Sequence, residues 1–427
     1  MTLKTATLAA LEPEDRAMLD SLTREGGLLI ERTVAWCAIN TGSRNLAGLA
    51  QQADLLTAEL MRFPGPVERT ILPDTLEIDA SGAQRQQING QALSLTVRPR
   101  APVQVVLTGH YDTVFPQTTG FTQVSTRADG TLNGPGVADM KGGVSVMLGA
   151  LAAFETHPDA GRLGYRVLLS PDEETGSVAS APLLARIGRL GHVGLTYEPA
   201  MADGALAGAR KGSGNFHIVV HGRAAHAGRD FDKGRNAISA ALAIGQALQA
   251  LNGRRAGVTL NLARIDGGGA LNIVPDLAIL RFNIRFPDAA AQVWLEAAIQ
   301  EAIGAGRGEG LAIELHGGVT RPAKPLNVAQ HRLLAAVHEA GALLGQPIAW
   351  KSSGGVCEGN NLFAAGLPNV DTLGVRGGDI HSEAEFARPE SFVERAQLSA
   401  LLLARLARGD IDGPALHAAM ALDMKSS

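Results

Sequence analysis

A chain of 427 residues is too long for one ordinary hydrophobic core and sets the expectation of two domains. It is 45% hydrophobic and 19% charged, which excludes a disordered protein. The net charge of -4, with no basic block, argues against nucleic acid or an anionic membrane as a partner, and two cysteines, Cys37 and Cys357, are too few for a disulfide framework and point to a reducing, cytoplasmic compartment.

The opening run MTLKTATLAALEPEDRAML has a short apolar stretch that Glu12, Glu14 and Asp15 soon interrupt, so it reads as helix and not as a signal peptide. No stretch reaches the apolar length of a membrane span. A helix is expected over 17–38, strands over 92–97 and 103–107, a helix over 141–154, and strands over 165–169 and 194–197. This alternation implies an α/β sheet with helices on both faces. From residue 212 the pattern changes. Strands at 215–220, 257–265, 276–286 and 311–316 enclose helices at 237–251 and 289–303, the order βαββαβ of a ferredoxin-like unit. A helix over 328–344 restores the first pattern. The expected architecture is one α/β domain built from 1–211 and 326–427, interrupted by a compact domain over 212–325, which is permitted when the ends of the insertion lie close together.

In an open α/β sheet, ligands gather at the carboxyl ends of the strands. The imidazoles and carboxylates found there are His110 and Asp112 in GHYDT, Asp139 in GPGVADMKGG, Glu173 and Glu174 in SPDEETGS, Glu198 in TYEPA and His381 in RGGDIHSE. Imidazole with carboxylate suits zinc, with cobalt or manganese able to substitute. Two histidines and three carboxylates serve two ions, provided that one carboxylate bridges. Each residue alone has a plainer reading: Asp139 as a helix N-cap, 172–174 as a solvated acidic loop, Glu198 as a turn residue before Pro199. Their succession at strand-to-loop boundaries favours a metal site.

These stretches, with GRAAHAG, LNIVP and GGDIHSE, make the chain resemble the M20 family of dinuclear zinc peptidases and amidohydrolases, from about residue 20 to the helix near Leu406. The resemblance implies a mixed-sheet zinc-exopeptidase catalytic domain with an inserted lid and dimerisation domain, and hence a homodimer. It implies two Zn2+ ions, one on His110 and Glu198, the other on Glu174 and His381, with Asp139 bridging. Asp112 would orient His110, the Asp139-Met140 bond would be cis, and Glu173 would be the general base that passes a proton from water to the leaving amine. His226 would reach the partner subunit's metal site and stabilise an oxyanion. Asn272 and Arg285 would bind the substrate carboxylate or the oxyanion region, and Arg210, at the hinge, would approach the substrate. The run holding Ser353 and Gly354 would be a glycine-rich anion loop. His217 and His221 read as structural.

Two positions depart from the family pattern: Glu358 stands where aspartate is common, and Arg376 adds a cation that would favour an acidic substrate or pair with Glu358 or Asp379. The activity implied is hydrolysis of an amide bond in a small acyl-amino-acid or peptide substrate with a free carboxylate, releasing a C-terminal amino acid. Deacylation of an acetylornithine-like or succinyl-diaminopimelate-like substrate is the second reading, and a non-catalytic binding protein on the same fold is the third.

Overall fold

The computed structural model describes residues 11–425, so the apolar run at residues 1–10 lies outside the described residues. Helix α1, Pro13–Cys37, starts ahead of the expected residue 17 because Pro13 opens its first turn and Glu14 and Asp15 complement the helix dipole there. The central sheet contains β1 Val67–Ile71, β2 Gln91–Val97, β3 Val103–His110, β4 Leu163–Ser170 and β5 Val193–Thr196. Their spatial order is β1-β2-β4-β3-β5, with Asn369–Val370 added beyond β5. Strands β3, β4 and β5 run parallel, whereas β1 and β2 are antiparallel to their neighbours, so the sheet is mixed.

Strand β3 is buried on both faces, which is why it reads as an unbroken apolar run. On one face α1 packs with the helices Lys141–Glu155 and Glu390–Arg408. On the other, Ala181–Gly188 and Glu358–Ala364 cover Val106 and Leu168.

A second sheet comprises β6 Gly212–His221, β7 Thr259–Gly267, β8 Leu277–Phe286 and β9 Ala312–Arg321, in the antiparallel order β7-β8-β6-β9. It has its own core, formed with helices Ala237–Gln249 and Ala289–Ile303 and separate from that of the central sheet. The period of two along a strand sorts its residues. Phe216, Ile218 and Val220 on β6, with Leu280, Phe282 and Ile284 on β8, face the helices. The alternate residues form a polar inner face with cross-strand pairs Ser213–Arg285, Asn215–Asn283 and His217–Arg281.

Strand β9 runs past the expected end at 316 as far as Arg321. Gly317, at φ 90°, adopts a backbone conformation that a residue with a side chain would resist, and pairing with β6 continues through it to a register shift between Gly214 and Ser213. A hairpin joining Thr75–Ile78 to Gln84–Gln87 was not foreseen, because neither polar strand shows a clean apolar alternation. It fastens the two sheets together: Ile78 packs against Val219 and Ile279, and Arg281 donates to the main-chain carbonyls of Ile78 (2.8 Å) and Asp79 (2.9 Å).

The separate cores predict separable stabilities. Phe282 is 2% exposed and stacks on Phe216 with centroids 5.3 Å apart, so Phe282→Ala is expected to cost the second core about 3–5 kcal/mol. Hydrogen-exchange mass spectrometry should show faster exchange in Ala237–Gln249 and Ala289–Ile303, with β3 and β4 keeping their protection. Uniform deprotection of both sheets would contradict this.

Candidate metal centre and active site

His110 is the last residue of β3 and is fully buried. Its Nε2 lies 3.1 Å from Asp139 Oδ1 and 3.8 Å from Glu198 Oε1. The other oxygen of Asp139 lies 3.3 Å from His381 Nε2, and that nitrogen is 3.2 Å from Glu174 Oε2. One carboxylate thus turns an oxygen to each of two imidazole–glutamate pairs. The structure brings all five expected ligands together from loops that follow β3, β4 and β5 and from two more distant turns.

The electrostatics are those of a cation site. Burial and the charge of Asp139 push Glu174 up to about 8, and the same two causes raise Glu198 well above the carboxylate range. Glu198 Oε1 is buried and accepts no hydrogen bond. Donor atoms of His110, Asp139 and Glu174 lie within 4.8 Å of one another, as do those of His110, Glu173 and Glu198. Crowded nitrogen and oxygen donors with an unsatisfied carboxylate oxygen fit divalent cations such as zinc, cobalt or manganese.

Asp112 has a wider part than orienting one ring. The Nδ1 of His110 lies 3.0 Å from the main-chain carbonyl of Asp112 and 3.3 Å from its Oδ1. The same carboxylate accepts the main-chain N–H groups of Glu173 and Glu174, both at 3.2 Å, and the hydroxyl of Ser43 at 2.7 Å. One side chain therefore fixes His110 and the backbone of both adjacent glutamates. The Asp139-Met140 bond is cis, in line with the resemblance.

Glu173 points into a cavity of about 430 Å³ that Asp139, Glu174, Glu198 and His381 also line. Arg210, Arg285 and Ser353 line it too, and Gly355 lines it in place of Gly354. Arg210 is committed to Asp371 through Nε at 2.8 Å, and Asp371 also takes Lys324 Nζ at 2.7 Å. Arg285 donates through Nε to Asn283 at 3.1 Å, while its Nη1 is buried with no hydrogen-bond partner.

His226 and Asn272 do not line this cavity. Both are exposed, His226 on a short ladder that pairs Ala225–His226 with Ile273–Val274 on the second sheet's domain and Asn272 in the turn just before it, beside the fully exposed Leu271. The expectation for Arg376 is corrected: its guanidinium is held by Glu394 at 3.1 Å and by the carbonyl of Ala202, so it faces neither the cavity nor Glu358. Glu358 is instead buried and accepts the Ser170 hydroxyl.

Two functional residues were missed. Arg321, 1% exposed, places Nη2 2.5 Å from Glu173 Oε1 and Nη1 2.6 Å from Asn361 Oδ1. It escaped notice because Gly317-Gly318 resembles a strand end. Glu385, also 1% exposed, accepts the N–H groups of Ala138 (2.9 Å), Asp139 (3.0 Å) and Gly136 (3.1 Å), binding the His381 turn to the loop of the shared carboxylate. In the run HSEAE it reads as a solvated acid, and only its place just before the strand Phe386–Ala387 hints otherwise. Glu385→Ala is expected to weaken metal binding by about 10–100-fold, the usual cost of removing a residue that positions ligands. Competition with a chelating dye measures this, and unchanged affinity would contradict it.

The family model described as Peptidase family M20/M25/M40 matches residues 106–405. Carboxypeptidase G2 from Pseudomonas sp. (strain RS-16) is 25% identical over 418 residues, 95% of either chain. A succinyl-diaminopimelate desuccinylase from Methylorubrum extorquens is 33% identical over 247 residues, 53% of this chain and 63% of that one. A tripeptidase from Staphylococcus aureus superposes with a TM-score of 0.70 at 20% identity, over 90% of this chain and 99% of that one. With the site geometry and a family match that spans most of the sequence, the chain belongs to peptidase family M20/M25/M40 and is an enzyme of that family.

Proposed function

We propose that the enzyme hydrolyses the amide bond of a small N-acyl-amino-acid or peptide substrate bearing a free carboxylate and releases the C-terminal amino acid. The observation that carries this reading is the shared Asp139 carboxylate between His110–Glu198 and His381–Glu174, with Glu173 beside it in the same cavity. His110, Glu198, Asp139, Glu174 and His381 would hold two zinc ions. Such ions, when bound, polarise a carbonyl and lower the pKa of a water molecule.

The protein's own groups do the rest. Arg321 occupies Oε1 of Glu173, which leaves Oε2 to take a proton from water and return it to the leaving amine. Arg285 lines the cavity, its buried Nη1 has no hydrogen-bond partner, and it would clamp the substrate's carboxylate. Ser353 would add a hydroxyl to that end of the cavity.

His226, exposed on its ladder beside Asn272, would act across a homodimer formed through the second sheet's domain, donating to the oxyanion of the partner's site. The domains would comprise 1–211 with 326–427 and an inserted lid over 212–325. Free, buried Cys37 and Cys357 suit a reducing, cytoplasmic setting, and among the described residues no helix is long and apolar enough to cross a membrane. Similarity to the desuccinylase supports a second reading, in which the acyl group removed is succinyl or acetyl.

Glu173→Gln is expected to lower kcat by about 10²–10⁴-fold with metal content unchanged by elemental analysis. Loss of metal in that variant would assign Glu173 to ligation instead. Chelation should abolish turnover, and zinc, cobalt or manganese should restore it; full activity of the metal-free protein would refute the reading. His226→Ala is expected to lose about 10²–10³-fold in kcat. Mixing it with Glu173→Gln should recover activity through hybrid dimers, since one site then has an intact Glu173 and the partner's His226. No recovery would place His226 in its own subunit's site or outside catalysis.

A further inference from the structure

Beside the metal cavity lies a larger one of about 810 Å³, and Thr175, Asn215, Asn283 and Thr320 line both. Its outer wall is the hairpin of Thr75–Ile78 and Gln84–Gln87, and its floor is the polar inner face of the second sheet. Strand β8 runs along the two like a ruler: Arg285 lines the first cavity, Asn283 the shared neck and Arg281 the second. At about 3.3 Å per residue, Arg285 to Arg281 spans about 13 Å.

The chemistry of the second cavity differs from that of the first. Its cations are already satisfied: Arg44 pairs with Glu77, and Arg281 is held by Asp266 at 2.9 Å and by two main-chain carbonyls. Asp74 adds negative charge to the lining. Burial lowers the pKa of His217, which favours its neutral form. Leu76 and Val178, 63% and 49% exposed, supply apolar surface to the same lining. An anionic tail would find no free cation there, while an uncharged group would find apolar wall and imidazole.

We propose that this second cavity is the subsite for the acyl part of the substrate and that it selects elongated, uncharged acyl groups over acetyl and over succinyl. The proposal rests on the amide-hydrolase reading, with the amino-acid carboxylate held at Arg285 and the acyl group passing the neck between Asn215 and Asn283. An acetyl group would end before the neck, and a succinyl group would bring a carboxylate against Asp74 with the cations of the lining already paired.

The test compares kcat/KM for N-acetyl, N-succinyl and N-(4-phenylbenzoyl) derivatives of L-glutamate and L-alanine, with the metal-loaded enzyme. The 4-phenylbenzoyl compounds are expected to lead by at least about tenfold. Ala263→Trp, which fills the cavity from an exposed position on β7, should lower the ratio of 4-phenylbenzoyl to acetyl turnover by about tenfold. Leu76→Trp, on the opposite wall, should do the same. A preference for acetyl or succinyl, or a ratio unmoved by both variants, overturns the subsite. Absence of hydrolysis across all six compounds is a different failure: it defeats the amide-hydrolase reading, and the subsite falls with it.

Discussion

The structure turns on one shared carboxylate. Asp139 lies between two imidazoles, and Glu174 and Glu198 crowd it from either side, all three carboxylates being largely buried. Burial and the charge of Asp139 raise the pKa values of Glu174 and Glu198, whereas the burial of Asp139 itself is outweighed by its contacts with His110 and His381, which hold it below the carboxylate range. The arrangement is consistent with positive charge supplied at the site, and the surrounding fold keeps the acids in place. Asp112 gathers His110 and the backbone of Glu173 and Glu174, while Glu385 gathers three amides of the loop that bears Asp139. These two buried carboxylates join strand ends that are remote in the chain.

Charge is divided between the two sheets. The central sheet and its loops contribute the acids and imidazoles. The second sheet presents Arg285 and Arg321 from its polar inner face, and Arg321 reaches across to Glu173. Complementary charge therefore holds the sheets face to face at the site, while Ile78 in its apolar contact with Val219 and Ile279 holds them together at the hairpin. The cavity lined by Glu173 and by four of the metal-ligand candidates lies in the gap that this pairing creates.

Much of this was legible in the sequence. Continuous apolar runs marked β3 and β4, period-two alternation marked β6 and β8, and three of the five metal-ligand candidates, His110, Glu174 and Glu198, stand at or just beyond the ends of β3, β4 and β5. What stayed hidden has physical causes. Arg321 sits beyond a glycine pair that imitates a terminus. Glu385 is an acid among acids whose burial depends on a tertiary fold around Gly136 and Ala138. The hairpin strands around Leu76 and Gln86 are polar because they cover a cavity rather than a core. Arg376 showed that a cation near a ligand in sequence need not face the site, since Glu394, one helical turn into Glu390–Arg408, captures it.

The account is tested most directly by anomalous diffraction at the zinc absorption edge from crystals of the zinc-loaded enzyme. Two peaks are expected, one bonded to His110 and Glu198, the other to Glu174 and His381, with an oxygen of Asp139 on each. A single peak that leaves His381 and Glu174 bare, or metal bound elsewhere with Asp139 contacting none, would contradict it.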